Sequence, residues 1–119
     1  MYPPPPIEVL QRLTQSDLES ICFGSCVINL HFENKNYLSV EGPFRFAEGQ
    51  LISETPVLDF PLSESKLVRV LGCRATQVKC DTDGTLELRF SSGDVLIVYA
   101  NDPAYEAYTL LIDGKEYVV

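Results

Sequence analysis

Residues 85–98, which read TLELRFSSGDVLIV, decide the fold of this chain. In the segment LELRF, residues 86–90, an apolar side chain alternates with a charged one, and this period of two is that of a half-buried strand. The segment SSGD at 91–94 has the composition of a turn, and the apolar run 95–98 follows it. The stretch therefore predicts a β-hairpin at the centre of an antiparallel sheet.

A second stretch, residues 28–40 (INLHFENKNYLSV), has the same pattern in the first half of the chain. When the two stretches are aligned without a gap, Leu30 falls on Leu88 and Phe32 falls on Phe90. The same alignment places Cys22 on Cys80 and Leu13 on Leu71. One interpretation is a duplicated unit, a helix followed by a β-meander. The other is that meanders of similar length resemble one another for physical reasons.

Two short helices complete the prediction. Pro6 fits the first position of a helix that ends near Thr14, because its missing N–H is not needed there. Ser63 is a good N-cap for a second helix, which Gly72 stops after Leu71. Strands are predicted at 17–23, 26–33, 37–41, 44–46, 50–53, 74–80, 86–90, 95–98, 105–112 and 115–119. The predicted fold class is α+β, mostly β, with antiparallel sheets and two short helices.

The length of 119 residues and the hydrophobic content of 45% indicate one domain, residues 1–119, with a core of ordinary size. Its internal halves would be 6–53 and 63–119, joined by the proline-containing segment 54–61. No apolar run approaches the roughly 18 residues that a membrane helix needs. The start MYPPPP has no basic region before an apolar core, so we expect a cytoplasmic protein.

Four cysteines are present: Cys22, Cys26, Cys73 and Cys80. Their spacings, C-x3-C and C-x6-C, fit no usual zinc site, and the chain has one histidine. We therefore expect buried free thiols, with no metal and no cofactor.

The sequence offers little for catalysis, and we expect no enzymatic activity. A serine or cysteine nucleophile would need His31 as its base, and His31 lies on the polar face of its predicted strand. An enzyme that uses His31 with Cys22 or Cys26 is the alternative. The run DTDG at 81–84 lacks the further ligands of a calcium loop and predicts a turn. No glycine-rich phosphate loop, dinucleotide fingerprint or HExxH motif occurs.

The charge of the chain is acidic and uneven. The formal net charge is −8, of which residues 81–119, with eight acids and two bases, carry −6. Such a surface repels nucleic acid and anionic membranes and attracts basic partners. The alternative is that the acids only keep a small protein soluble.

Tyrosines and acids near the C-terminal end of the sequence form the candidate contact surface for a partner. Tyrosine supplies contact area at modest entropic cost, and acids beside it can meet lysine or arginine. The alternative is that these tyrosines pack across strands within a sheet. The candidate partner-binding residues are Asp102, Tyr105, Glu106, Tyr108 and Asp113.

Residues 63–112 carry a pattern of a glycine after a short helix, a strand, a D-G turn, an L-x-L-x-F-x-x-G-x-x-L-x-V hairpin and a Y-E-A-Y strand. This pattern resembles small bacterial immunity proteins that accompany polymorphic or contact-dependent toxins. The resemblance implies an inhibitor that neutralises a basic toxin domain by occluding it. It implies no catalytic residues. The alternative function is a self-associating structural or regulatory β module that pairs through the strand 115–119. The expected state of the protein is monomer or homodimer.

Overall fold

The computed structural model describes residues 5–24, 27–47, 57–58, 67–100 and 106–119. A short helix, α1, and ten strands are present in these ranges, together with 3-10 turns at Gln11–Leu13, Glu33–Lys35 and Leu67–Val70. The bounds are α1 Ile7–Leu10, β1 Leu18–Phe23, β2 Ile28–Phe32, β3 Tyr37–Val40, β4 Phe44–Ala47, β5 Val57–Leu58, β6 Ala75–Cys80, β7 Leu86–Phe90, β8 Val95–Val98, β9 Tyr108–Ile112 and β10 Lys115–Val118. The fold is mostly β with a small helical part, as the sequence predicts.

The hairpin predicted from residues 85–98 is present as β7 and β8. Leu86, Leu88 and Phe90 are buried, so the alternating apolar side chains of β7 face the core. Gly93 adopts a φ of 91°, and the N–H of Phe90 donates to the carbonyl of Asp94 across the turn. Glycine suits this position because a positive φ costs it little.

The strands form two five-stranded antiparallel sheets. Sheet 1 has the order β1-β2-β3-β9-β10, and sheet 2 has the order β5-β4-β8-β7-β6. Strand β4 of the first half and strand β5 of the connection 54–61 therefore join sheet 2, and β9 and β10 leave the second half to join sheet 1. Because of this exchange, the predicted halves 6–53 and 63–119 are not separate packing units. Buried side chains of both sheets belong to one hydrophobic core.

The two meanders have the same pairing register. With Ile28 aligned on Leu86, β2 and β3 coincide with β7 and β8, whereas β1 coincides with β6 when Leu18 is aligned on Ala75. Both first strands carry an irregularity at the matching place, between Leu18 and Ser20 and between Ala75 and Gln77. The offset changes because the β6–β7 connection, residues 81–85, is one residue longer than the β1–β2 connection, residues 24–27.

The alignment of Cys22 with Cys80 is therefore wrong by one residue. Cys22 lies opposite Asn29, and its counterpart opposite Glu87 is Lys79. The match of Leu13 with Leu71 is wrong in the same way, because Leu71 is 50% exposed and Val70 is the buried residue.

A pseudo-twofold arrangement of backbone hydrogen bonds joins the starts of β1 and β6. An isolated antiparallel bridge pairs Asp17 with Arg74, which are counterparts in the two meanders. The N–H of Leu18 donates to Cys73 and the N–H of Ala75 donates to Ser16. A second pair of hydrogen bonds repeats this relation: the N–H of Gln15 donates to the carbonyl of Ala75, and the N–H of Gly72 donates to the carbonyl of Leu18. The backbone groups at the starts of these two edge strands therefore hydrogen-bond to each other.

The predicted helices are shorter than expected. The first consists of α1 and the 3-10 turn that follows it, with Leu10 and Leu13 buried, but Ile7 on the predicted apolar stripe is 48% exposed. The second has the 3-10 turn Leu67–Val70 where residues are described. Residues 63–66, the predicted strand 50–53, and most of the connection 54–61 lie outside the described residues.

The cysteines are less buried than expected. Cys22, Cys73 and Cys80 are free thiols, but Cys22 is exposed and the other two are partly buried. Cys22 is exposed because it lies on the outer face of the edge strand β1. Cys26 lies outside the described residues. Within the ranges that the structure describes, no helix is long and apolar enough to cross a membrane.

Candidate functional site

Two of the predicted contact residues are exposed but lie far apart. Glu106 precedes β9 and Asp113 follows it, so the length of the strand, roughly 20 Å, separates them. A carboxylate oxygen of Asp113 accepts a hydrogen bond from Nη1 of Arg12 at 2.8 Å. The backbone N–H of Asp113 donates to Oδ1 of Asn36 at 3.0 Å. The two residues do not form one patch. Asp102 and Tyr105 lie outside the described residues.

Tyr108 is not a surface residue, and its prediction as a partner contact is wrong. Its side chain is fully buried, as the alternative of a tyrosine packed across strands predicts. The hydroxyl donates to the carbonyl of Gly84 at 2.6 Å and lies 3.6 Å from Sγ of Cys80. Burial raises the pKa of Tyr108, and the hydrogen bond with Cys80 raises it further. Tyr108 therefore holds the β6–β7 turn of sheet 2 against β9 of sheet 1.

Cys80 lies beside this tyrosine and is a poor nucleophile. Burial raises the pKa of its thiol, and the carboxylates of Asp81 and Asp83 add to this, against the lowering effect of the hydrogen bond with Tyr108. A raised pKa keeps the thiol protonated, whereas nucleophilic chemistry needs the thiolate.

The segment 81–84 forms the predicted turn. The N–H of Gly84 donates to the carbonyl of Asp81 at 3.0 Å, and Oδ1 of Asp83 accepts from the N–H of Thr85 at 2.9 Å. Gly84 adopts a φ of 95°. Among the described residues, no group of three or more histidine, cysteine and acidic side chains could hold a metal ion.

The outer face of sheet 1, the side turned away from the core, consists of two rows of side chains. Residues directly opposite each other in an antiparallel sheet point to the same side, so the pairing register defines the rows. The first row is Ser20, His31, Tyr37, Leu111 and Glu116. The second row is Cys22, Asn29, Ser39, Thr109 and Val118.

Aromatic and aliphatic side chains lie near the middle of this outer face. The rings of His31 and Tyr37 have their centroids 5.8 Å apart. His31, Tyr37 and Leu111 are all partly exposed. Ser20 is the residue directly opposite His31, and Cys22 lies in the neighbouring row. The sequence pattern separates the inner and outer sides of each strand, but it does not reveal that Leu111 lies beside Tyr37.

Acidic residues surround the outer face of sheet 1. Glu19 lies on the edge strand β1 and Glu116 on the edge strand β10, while Glu41 and Glu106 lie at one end of the sheet. The N–H of Glu41 donates to the carbonyl of Ala107, which places it next to Glu106. The other end holds the acids Glu33 and Asp113 together with the bases Lys35 and Lys115, so the excess of acids lies at the first end and along the two edges. The sequence pattern does not reveal the part played by Glu19, Glu33 and Glu41, because only the exchange of strands places them on one sheet with acids of the second half.

The charge is also uneven when it is counted by sheet. The described strands and turns of sheet 1, residues 18–24, 27–41 and 106–119, hold six acids and two bases, a net charge of −4. Those of sheet 2, residues 44–47, 57–58 and 75–98, hold four acids and three bases, a net charge of −1. Sheet 1 is therefore the more acidic side of the molecule.

The fold and surface define a class: a small, mostly β protein whose described residues form two five-stranded antiparallel sheets that exchange strands between the halves of the chain. The chain belongs to a family of unknown function, DUF6188, whose model matches residues 9–119. No curated protein and no solved structure matches the chain.

Proposed function

We propose that this protein is a binding protein that inhibits a basic protein partner by covering its active surface. The observation that carries the proposal is the ring of six acids around sheet 1. Together with two bases, these acids give the described strands and turns of the sheet a net charge of −4. The two predicted contact residues that are both described and exposed, Glu106 and Asp113, belong to this ring. The protein acts by occlusion and not by catalysis.

The charge supports fast and selective association. An acidic surface raises the encounter rate with a basic partner by a factor of about 10 to 1,000 at low salt. It also disfavours complexes with nucleic acid and with anionic membranes, because like charges repel.

The size of the molecule is sufficient for an inhibitor. A stable protein–protein contact covers roughly 800 Å² on each partner. The surface of this chain is 6494 Å², so such a contact would take about an eighth of it.

The resemblance of residues 63–112 to bacterial immunity proteins makes the proposal more specific. The partner would be a cationic toxin domain, such as a nuclease, and the complex would form in the cytoplasm of the cell that makes the inhibitor. Neutralising such a toxin requires only that its catalytic surface be covered.

Affinity capture tests the proposal. The tagged full chain is incubated with extract from its native cells at low and at moderate salt, and the retained proteins are identified by mass spectrometry. We expect one basic protein, held at a near-equal molar ratio and released by salt. Capture of nucleic acid, or of no protein at all, would contradict an inhibitor of a basic protein.

A second candidate function is self-association, which the position of β10 at the edge of sheet 1 favours. An edge strand presents unpaired backbone groups that can pair with a second copy. An antiparallel pair centred on Tyr117 would place Glu116 opposite Val118 of the second copy and so avoid facing acids. Light scattering at low and at high protein concentration separates the candidates: a mass that stays monomeric removes this one.

We also propose that the chain arose by duplication of a helix-plus-meander unit. The equal registers of the two meanders and the pseudo-twofold hydrogen bonds between Ser16, Leu18, Cys73 and Ala75 support this origin. Similar meanders that arose separately would not need a shared irregularity at the start of their first strands.

A further inference from the structure

The outer faces of the two sheets differ in charge at matching positions. Matching follows from the register: β1–β3 correspond to β6–β8 in order, and β9 takes the place that β4 has in sheet 2. The charged outer residues of sheet 2 are Lys79, Glu87, Arg89 and Arg45. Their counterparts in sheet 1 are Cys22, Asn29, His31 and Thr109.

Burial does not explain the missing charges on sheet 1. Cys22 is exposed, and Asn29, His31 and Thr109 are partly exposed, so each could carry a charged side chain in contact with water. Glu116 is the one Asp, Glu, Lys or Arg in the two rows of this face, although 22% of the chain is charged. A solvent-facing sheet surface is ordinarily polar and charged.

Protein interfaces have the composition that this outer face shows. Their centres are depleted of charge and enriched in aromatic side chains, and their rims are polar. Tyr37 and Leu111 lie in neighbouring strands at the middle of the face, and the six acids lie around it. The face therefore has an uncharged centre and an acidic rim.

We propose that the outer face of sheet 1 is the docking surface, and that its occupant is a folded protein with an uncharged patch surrounded by lysine and arginine. This inference rests on the proposed function and names the surface that performs it. A second copy of the chain does not fit, because it would bring one acidic rim against another. Like charges placed opposite each other across an interface are unfavourable.

The test places on sheet 1 the residues that sheet 2 has at the same positions. The variant Cys22→Lys/His31→Arg adds two positive charges to the outer face of sheet 1. Sheet 2 has lysine and arginine at the matching positions, so we expect the fold to tolerate them. The matched control is Gln77→Lys/Thr82→Lys, which adds the same charge at two exposed positions of sheet 2. Each variant, as the full chain, is used to capture proteins from native cell extract.

We expect the wild type and the control to retain the same basic protein. The sheet 1 variant should retain at least about tenfold less of it. Equal retention by the two variants would overturn the docking surface and leave the proposed function intact. Retention of no protein by the wild type would overturn the proposed function itself.

A photo-crosslinker provides a second readout that does not depend on the folding of the charged variants. p-Benzoylphenylalanine is placed at Tyr37 in one protein and at Lys79 in another, and both are irradiated in native extract. An adduct with one basic protein from position 37, and none from position 79, supports the proposal. An adduct between two copies of the chain, an adduct from position 79 alone, or no adduct at position 37 overturns it.

Discussion

Two buried polar residues, Asn36 and Asp94, occupy matching positions in the two meanders and have different partners. Asp94 accepts hydrogen bonds from Oγ of Ser92 at 2.7 Å and from Nε of Arg69 at 3.3 Å. In the first meander the matching position holds the neutral amide of Asn36. Arg12, the counterpart of Arg69, pairs with Asp113 instead. The carboxylate that pairs with Arg69 is therefore buried, and the carboxylate that pairs with Arg12 is half exposed.

The change Asp94→Asn should lower the free energy of unfolding by about 1–3 kcal/mol. The amide removes the buried negative charge that the Arg69 guanidinium contacts, and its N–H₂ group is a donor facing other donors. Urea unfolding measures the loss. The control is Asp113→Asn, whose ion pair with Arg12 is largely exposed and should cost at most about 1 kcal/mol. Equal losses of stability in the two variants would contradict the role of Asp94 as a buried carboxylate that the Arg69 side chain stabilises.

The change Tyr108→Phe should lower the free energy of unfolding by about 1–2 kcal/mol, because the buried carbonyl of Gly84 loses its 2.6 Å hydrogen bond. Tyr37→Phe, at a partly exposed tyrosine of the outer face, is the control and should change stability by less than about 0.5 kcal/mol. Denaturant unfolding of the three proteins is the measurement. A change at Tyr108 no larger than that at Tyr37 would show that its hydroxyl does not hold the turn.

Alkaline pH should destabilise the protein through the same pair of groups. Burial raises the pKa of both Tyr108 and Cys80, so the folded protein holds protons that the unfolded chain releases. Their contribution to stability is complete below the ordinary thiol and tyrosine pKa values, about 8.5 and 10, and is lost as the pH rises above them. We expect the free energy of unfolding to fall above about pH 9 and the fall to be shallower in Tyr108→Phe. Equal slopes in both proteins would contradict this.

At the scale of elements, each half of the chain has a residue of left-handed conformation just before its first strand, β1 or β6, where the two halves hydrogen-bond to each other. Gly72 has a φ of 83°, and Gln15, its counterpart in the first half of the chain, has a φ of 67°. Both N–H groups donate across the junction, to Leu18 and to Ala75. Such a conformation costs about 1 kcal/mol for a residue other than glycine.

Exchanging the two residue types should therefore have opposite effects. Gln15→Gly should raise the free energy of unfolding by a few tenths to about 1 kcal/mol, because it relieves the strained φ. Gly72→Gln should lower it by about 1 kcal/mol, since a Cβ there meets no atom within 4 Å and only the φ opposes it. Thermal unfolding checks both signs. Destabilisation by Gln15→Gly would contradict strain at this position.

The local elements could be predicted from the sequence, and the pairing between distant strands could not. Each hairpin of β2–β3, β7–β8 and β9–β10 combines alternating residues with a turn signal within a short stretch. The pairing of β3 with β9 joins Leu38 to Leu110, and no local pattern encodes it. The burial of Tyr108 could not be predicted for this reason: the pattern near Tyr108 suggests a surface strand, whereas the neighbours of β9 leave its tyrosine in the core.

At the scale of the whole molecule, the exchange of strands determines where the charge lies. The sequence places most of the net negative charge after residue 80, but the fold brings Glu19, Glu33 and Glu41 onto the same sheet as Glu106 and Glu116. Sheet 2 retains nearly balanced charges, and Glu87 accepts a hydrogen bond from Nε of Arg89 at 3.0 Å. We therefore expect sheet 1, and not the C-terminal half of the sequence, to attract a basic partner.

The measurement that tests this account most directly is the salt dependence of the affinity for the captured partner, compared between the wild type and Glu41→Lys/Glu106→Lys/Glu116→Lys. We predict that the triple variant folds, binds at least about tenfold more weakly at low salt, and loses most of the salt dependence. The control Asp81→Lys/Asp83→Lys/Glu87→Lys makes the same change in charge on sheet 2 and should keep most of the affinity. Unchanged affinity and salt dependence in the sheet 1 variant would contradict the claim that the acidic rim of sheet 1 binds a basic protein.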